Sequence, residues 1–119
     1  MTNKNNAFIE NYQFGKITIN GVSYYTDLII FPDKIHDHWW RSKGHFLSIT
    51  DLELVIHYKP EILFIGTGMY GLMRVDKNVI HQLKELGINR IDVDKTKTIC
   101  ENYNKEKYPK KVAALHLTC

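Results

Sequence analysis

The sequence predicts an α/β domain in which an N-terminal antiparallel β-hairpin leads into a mixed sheet flanked by helices. Three observations predict it. Short β-type segments at residues 14–20 and 22–25 are joined by Asn20-Gly21. Residues 27–31, 62–65, 88–93 and 112–117 are apolar runs of strand length. Between the later runs, apolar residues recur at helical spacing.

Each element follows from local chemistry. Ile17 and Ile19 share one face of an extended chain, and Asn20-Gly21 tolerates the positive φ angles of a two-residue hairpin turn. Residues 27–31 form a continuous apolar strand that Pro32 ends. Residues 33–47 show no clear period and read as a long connection, a kind of segment that often carries function. A helix then starts at Ser48 or Thr50, presents Leu52, Val55 and Ile56, and stops before Pro60. Residues 62–65 read as a buried strand. Asp76 caps a helix carrying Val79, Ile80, Leu83 and Leu86, and Gly87 ends it. Residues 88–93 return as a strand. Thr96 opens a third helix with Ile99 and Tyr103 on one face, Pro109 ends it, and residues 112–117 form the last strand. Strands alternating with helices need crossover connections, so this half is expected to be largely parallel.

At 119 residues the chain fits one domain, divided into a polar N-terminal tail over residues 1–11 and a single α/β domain over 12–119. A composition of 44% hydrophobic and 24% charged residues is that of a globular protein rather than a disordered one. The net charge of +3 is milder than the usual footprint of a nucleic-acid binder. The densest basic cluster, Lys105, Lys107, Lys110 and Lys111, is diluted by Glu106 and reads as a solvated helix end. Two cysteines make no disulfide framework, residues 1–10 lack a secretory apolar stretch, and no apolar run is long enough for a membrane span. The expectation is a cytoplasmic protein without a membrane partner.

Three constellations could carry chemistry. Gly66, Gly68 and Gly71 satisfy G-x-G-x-x-G after a strand, and the amides there could hold a small anion. A dinucleotide site is not expected, because the next helix starts only near Asp76 and the chain is too short for two nucleotide-binding halves. The second constellation is His36, Asp37, His38, Trp39, Trp40 and Arg41, followed by Gly44 and His45. If extended, it places His36, His38 and Trp40 on one face and Trp39 on the other, so one tryptophan is expected at a groove or interface. Two alternating histidines fall short of the three or four ligands of a metal site, and no metal is expected. In the tail, strand parity separates His116 from Cys119, and the α-carboxylate works against a thiolate; His45 is the freer partner for Cys119.

These landmarks, taken in order, resemble the domain of unknown function 498 family. The matching pieces are Phe14-Gly15 with Ile17, Asn20-Gly21, Tyr25 through Asp27 to Pro32, Trp40-Arg41, and Pro60-Glu61. They continue with Ile65-Gly66-Thr67-Gly68, Thr96 with Tyr103-Asn104, and Val112-Ala113-Ala114. Gly44-His45 and the ending His116-Leu117-Thr118-Cys119 look like the family's prokaryotic branch. Two departures are Ile99, where alanine is frequent, and Pro109-Lys110-Lys111 in place of a common Gly-Arg. The resemblance implies a three-layer α/β fold whose mixed central sheet has one strand opposed to its neighbours. It implies no reaction. Relatives that include an adipogenesis-associated protein and a mitochondrial complex I assembly factor imply a binding role.

Two functions follow as expectations. The first is a non-enzymatic binding or assembly module for a protein partner, with a contact surface at Trp39, Trp40 and Arg41 and the rim at Gly66, Thr67 and Gly68. The second is a small-molecule enzyme or anion-binding protein using His45, Cys119 and the amides of Gly66 and Gly68. Both require the aromatic loop and the glycine bend to be neighbours. No cofactor is expected, and the sequence names no substrate, partner or oligomeric state.

Overall fold

In the computed structural model, which describes residues 7–119, the hairpin closes at Asn20 and Gly21 with φ of 49° and 82°. Positive φ at both positions matches the twist of the flanking strands. Strands β2 (Lys16–Ile19) and β3 (Val22–Tyr24) pair antiparallel with Ile19 opposite Val22, and bury Ile17 and Ile19. On the other side of β2 lies β1 (Ile9–Gln13), within the segment expected to begin as a polar tail. That boundary is corrected: Ile9 is buried, and the Asn104 side chain bonds its backbone N–H and C=O at 3.0 and 2.8 Å. The first six residues of the expected tail lie outside the described residues.

The central sheet is built from β4 (Leu28–Phe31), β5 (Lys34–Asp37), β7 (Ile62–Thr67), β9 (Arg90–Asp94) and β10 (Lys111–His116), in the order β5-β4-β10-β7-β9. β10, β7 and β9 are parallel, as the crossover argument requires. β4 alone is opposed, running antiparallel to both β5 and β10. β5 corrects the reading of residues 33–47 as one long connection. Pro32 turns the chain rather than ending the sheet, and Lys34 folds back opposite Phe31. As an edge strand with only Ile35 and His36 half-buried, β5 carries no alternation to betray it.

Ser48 caps the first helical segment: its N–H and hydroxyl both donate to the Asp51 carboxylate at 2.9 Å, and a 3₁₀ turn (Ile49–Leu52) leads into α1 (Glu53–Tyr58). Two short strands, β6 (Phe46–Leu47) and β8 (Arg74–Val75), pair in parallel and bring the aromatic loop against the segment after the glycine bend. α2 (Lys77–Glu85) buries Val79 and Leu83, leaves Leu86 exposed, and ends at Gly87. α3 (Thr96–Lys105) buries Thr96, Ile99, Cys100 and Tyr103, and it ends ahead of Pro109. α1 and α2 pack on the sheet face carrying Ile29, Leu63, Ile65 and Val112. α3 and the three-stranded sheet pack on the face carrying Ile30, Phe64, Ala113 and Leu115. Three layers result, and strands covered on both faces read as continuous apolar runs.

Candidate functional site

The three parallel strands end together, which is the edge where open α/β sheets favour ligands. Thr67, closing β7, donates its hydroxyl to the Asp94 carbonyl at the end of β9 at 3.1 Å. Thr96, opening α3, is fully buried. Its hydroxyl donates to the His116 carbonyl at 2.6 Å and accepts the Gly68 N–H at 2.8 Å. The chain beyond β10 then runs against the glycine bend. Met69 and Leu72 donate their N–H groups to the Thr118 and Cys119 backbone oxygens at 2.7 and 3.0 Å, while Gly15 N–H and the Tyr12 hydroxyl reach the Leu117 carbonyl at 2.9 and 2.7 Å.

This packing explains the glycines. Gly68 has φ 104°, and a Cβ there would stand 2.8 Å from the Thr118 carbonyl and collide with the Cys119 backbone. A Cβ on Gly66 would meet the Thr96 hydroxyl at 2.8 Å. The glycines admit the protein's own chain. The amides of Gly68, Met69, Gly71 and Leu72 all donate to the protein's own oxygens, and α2 begins only at Lys77. Gly66, Thr67 and Gly68 therefore shape the bend, with no free amide cradle at Gly68.

The aromatic loop meets the same tail through a buried ion pair. Asp27, just ahead of β4, accepts hydrogen bonds from Arg41 Nη2 at 2.8 Å, His116 Nδ1 at 2.8 Å and the Leu117 N–H at 2.7 Å. Arg41 also donates from Nε and Nη2 to the Gly44 carbonyl, at 3.1 and 3.0 Å, and its guanidinium lies 4.9 Å from the Trp39 ring. Both protons of Nη2 are thus committed, to Asp27 and Gly44. Its 3.0 Å approach to His116 Nδ1 is not a donation, and Nδ1 itself carries the proton given to Asp27. Burial alone would raise the Asp27 carboxyl, but the bonds from His116, Leu117 and Arg41 outweigh it and hold the group below its ordinary value. Sequence reasoning marked Arg41 as a contact residue and missed Asp27. The available signal was an ionisable residue at the margin of an apolar strand, twice over: Asp27 before Leu28, and His116 after Leu115.

Residues 9–117 match the family described as "Protein of unknown function (DUF498/DUF598)". The chain belongs to this family. A protein of Francisella tularensis subsp. holarctica called "13 kDa major membrane protein" is 30% identical over 105 residues, covering 82% of this chain and 79% of its own. Among solved structures, a conserved hypothetical protein from Pyrococcus horikoshii superposes with a TM-score of 0.79 at 23% identity, over 93% of this chain and 98% of its own. An outer membrane protein from Bartonella henselae gives the same score and identity over 97% and 98%. These two share the fold. No helix among the described residues of this DUF498 chain is long and apolar enough to cross a membrane.

The remaining candidates of the DUF498 chain fall into distinct environments. Trp39 is buried, its indole N–H donating to the Asp51 carbonyl at 2.9 Å, so its place in an expected contact surface is corrected to the core. Trp40 is exposed and borders a groove of about 220 Å³ with Tyr25, His38, Leu117 and Thr118. His38 has φ 55°, which breaks the extended run after β5. His36 and Trp40 therefore do not share a strand face, although the His38 and Trp40 rings lie 6.4 Å apart. His45 is exposed, its ring edge-on to His116 at 5.9 Å, and among the described residues no hydrogen bond joins it to Cys119. Burial, with the Glu101 charge adding to it, pushes the Cys100 thiol up to about 12. Lys111 leaves the solvated cluster: its Nζ donates to the Tyr103 and Glu106 carbonyls at 2.6 Å each.

Proposed function

We propose that this DUF498 protein is a non-enzymatic binding module for a protein partner, with its contact surface around the segment that follows β10. The observation that carries the reading is a rim of apolar side chains in one place. Trp40, Tyr25, Tyr70, Leu72 and Phe14 are 76, 68, 62, 52 and 49% exposed. All of them flank residues 117–119. Tyr25 and Trp40 share a groove with Thr118, the Leu72 amide bonds Cys119, and Phe14 stacks against Tyr70 at 6.2 Å beside the Gly15–Leu117 bond. Contiguous exposed apolar surface marks interaction sites, and aromatic residues are enriched at interface cores.

In this reading Arg41 positions the loop from below, through Asp27 and Gly44, and Trp39 anchors it in the core. Gly66, Thr67 and Gly68 set the path that presents Tyr70 and Leu72. The enzyme alternative gains little from the geometry, because the Gly68 amide is engaged by Thr96 and no hydrogen bond among the described residues joins His45 to Cys119. Cytoplasmic residence belongs to the same proposal. The names of the Francisella and Bartonella proteins speak instead for residence at a membrane. Photo-crosslinking tests the surface: a benzophenone amino acid at Trp40 should trap a discrete partner in cells, and the same group at Lys84 on α2 should not. Equal trapping at both positions, or none at Trp40, would overturn the proposal.

A further inference from the structure

At the other end of β10 from the apolar rim, a cavity of about 360 Å³ lies between the end of α3, the turn at Pro32 and the chain ahead of β1. Small-molecule sites run from about 300 to 1,000 Å³, so it is large enough for a small ligand. Two aromatic residues in its wall have a pinned backbone. The Phe8 N–H donates to Asn20 Oδ1 at 2.9 Å and its carbonyl accepts the Asn20 N–H at 3.1 Å, yet Phe8 stays exposed. The Tyr108 N–H donates to Glu106 Oε2 at 3.0 Å, and Pro109 stiffens the chain just beyond it; Tyr108 is exposed as well. A wall held this way loses little freedom when a ligand arrives.

Charge selects the ligand. Lys107 and Lys111 line the cavity, and neither belongs to an ion pair among the described residues. Lys111 Nζ donates to two neutral acceptors, the Tyr103 and Glu106 carbonyls, and lies 4.0 Å from the Tyr103 ring centroid. These bonds close the end of α3 and fix the ammonium in place without neutralising it, and one of its three donors stays uncommitted. Burial, opposed in part by the Glu106 charge, holds Lys111 below the ordinary lysine value, so an arriving anion relieves a desolvated cation. The Glu106 carboxylate does not do so: it is committed to Arg90 Nη2 at 3.2 Å and to the Tyr108 N–H. A phosphate is held by several convergent donors, whereas this cavity offers one fixed ammonium beside aromatic walls. We propose that the cavity is a binding site for a small aromatic carboxylate, with its ring against Phe8 and Tyr108 and its carboxylate toward Lys111. The site is separate from the apolar rim and does not depend on it.

Titration of the isotope-labelled full chain with benzoate, followed by amide chemical shifts in NMR spectra, tests the proposal. The Phe8, Lys107, Tyr108 and Lys111 amides should move together along one saturation curve, with a Kd of about 10 mM or tighter for so small a ligand. Benzamide has the same shape without the charge and should bind at least about fivefold more weakly. Tyr108→Ala alters an exposed side chain and should weaken benzoate at least about twofold. Lys111→Met keeps the apolar stem, removes the cation and should bring benzoate down to the level of benzamide. No saturable shift at these amides, benzamide binding as tightly as benzoate, or unchanged benzoate binding by folded Tyr108→Ala or Lys111→Met protein would each overturn it. If Lys111→Met does not fold, the ratio of benzoate to benzamide and the Tyr108→Ala result decide.

Discussion

Replacing Asp27 with alanine removes one acceptor from three donors at once: Arg41, His116 and the Leu117 amide. The Arg41 side chain is 5% exposed, so its charge would stay buried without a counter-ion. Removing one partner of a buried ion pair costs about 3–5 kcal/mol. Asp27 itself is 16% exposed, and partial solvent screening favours the lower end, about 3 kcal/mol. For a domain of this size that corresponds to a fall in Tm of roughly 10–15 °C. The sign of the pH dependence follows from the depressed Asp27 carboxyl. Its contribution is fully present above the unfolded carboxylate value, about 3.9, and is lost as pH falls through the lower folded value. Thermal unfolding followed by circular dichroism should therefore show a constant gap between wild type and Asp27→Ala from about pH 5 to 7, narrowing in stronger acid. A gap below about 1 kcal/mol at neutral pH, or one that persists unchanged near pH 2, would refute the reasoning.

Three further substitutions separate packing from surface. Trp39→Ala should cost about 3–5 kcal/mol in urea denaturation, and Trp40→Ala less than about 0.5 kcal/mol; similar losses at the two positions would contradict the assigned burial. Thr96→Val orphans the Gly68 amide and the His116 carbonyl, and should lower stability by about 2 kcal/mol by the same assay. Gly68→Ala should cost at least about 2 kcal/mol, from positive φ and collision with residues 118 and 119. A neutral Gly68→Ala would mean that the tail does not lie against the bend.

Much of the fold was legible because its signals are local. Asn20-Gly21 announces its own turn geometry, Ser48 its helix start, and the runs ending in Phe31, Ile65 and Leu117 their two-sided burial. β1 escaped because Ile-Glu-Asn-Tyr-Gln is mostly polar and is held by Asn104, 95 residues away. β5 escaped because an edge strand needs little apolar surface. The site was half legible. Arg41, His45, Trp40 and the glycine bend stood out by composition, yet what joins them did not. Asp27 meets Arg41 14 residues on and His116 89 residues on, and the crowding at Gly68 comes from the far end of the chain. Spacing in one sequence cannot encode such contacts; an ionisable residue bordering an apolar strand is the only local trace.

The claim on which the rest depends is that the ion pair, the end of β10 and the glycine bend form one mechanical unit. Native-state hydrogen exchange at the Gly15, Met69 and Leu117 amides, which bond Leu117, Thr118 and Asp27 respectively, tests it most directly. The three amides are expected to open with one shared free energy, and Asp27→Ala should lower all three together. Opening at unrelated free energies, with Gly15 and Met69 indifferent to Asp27, would contradict it.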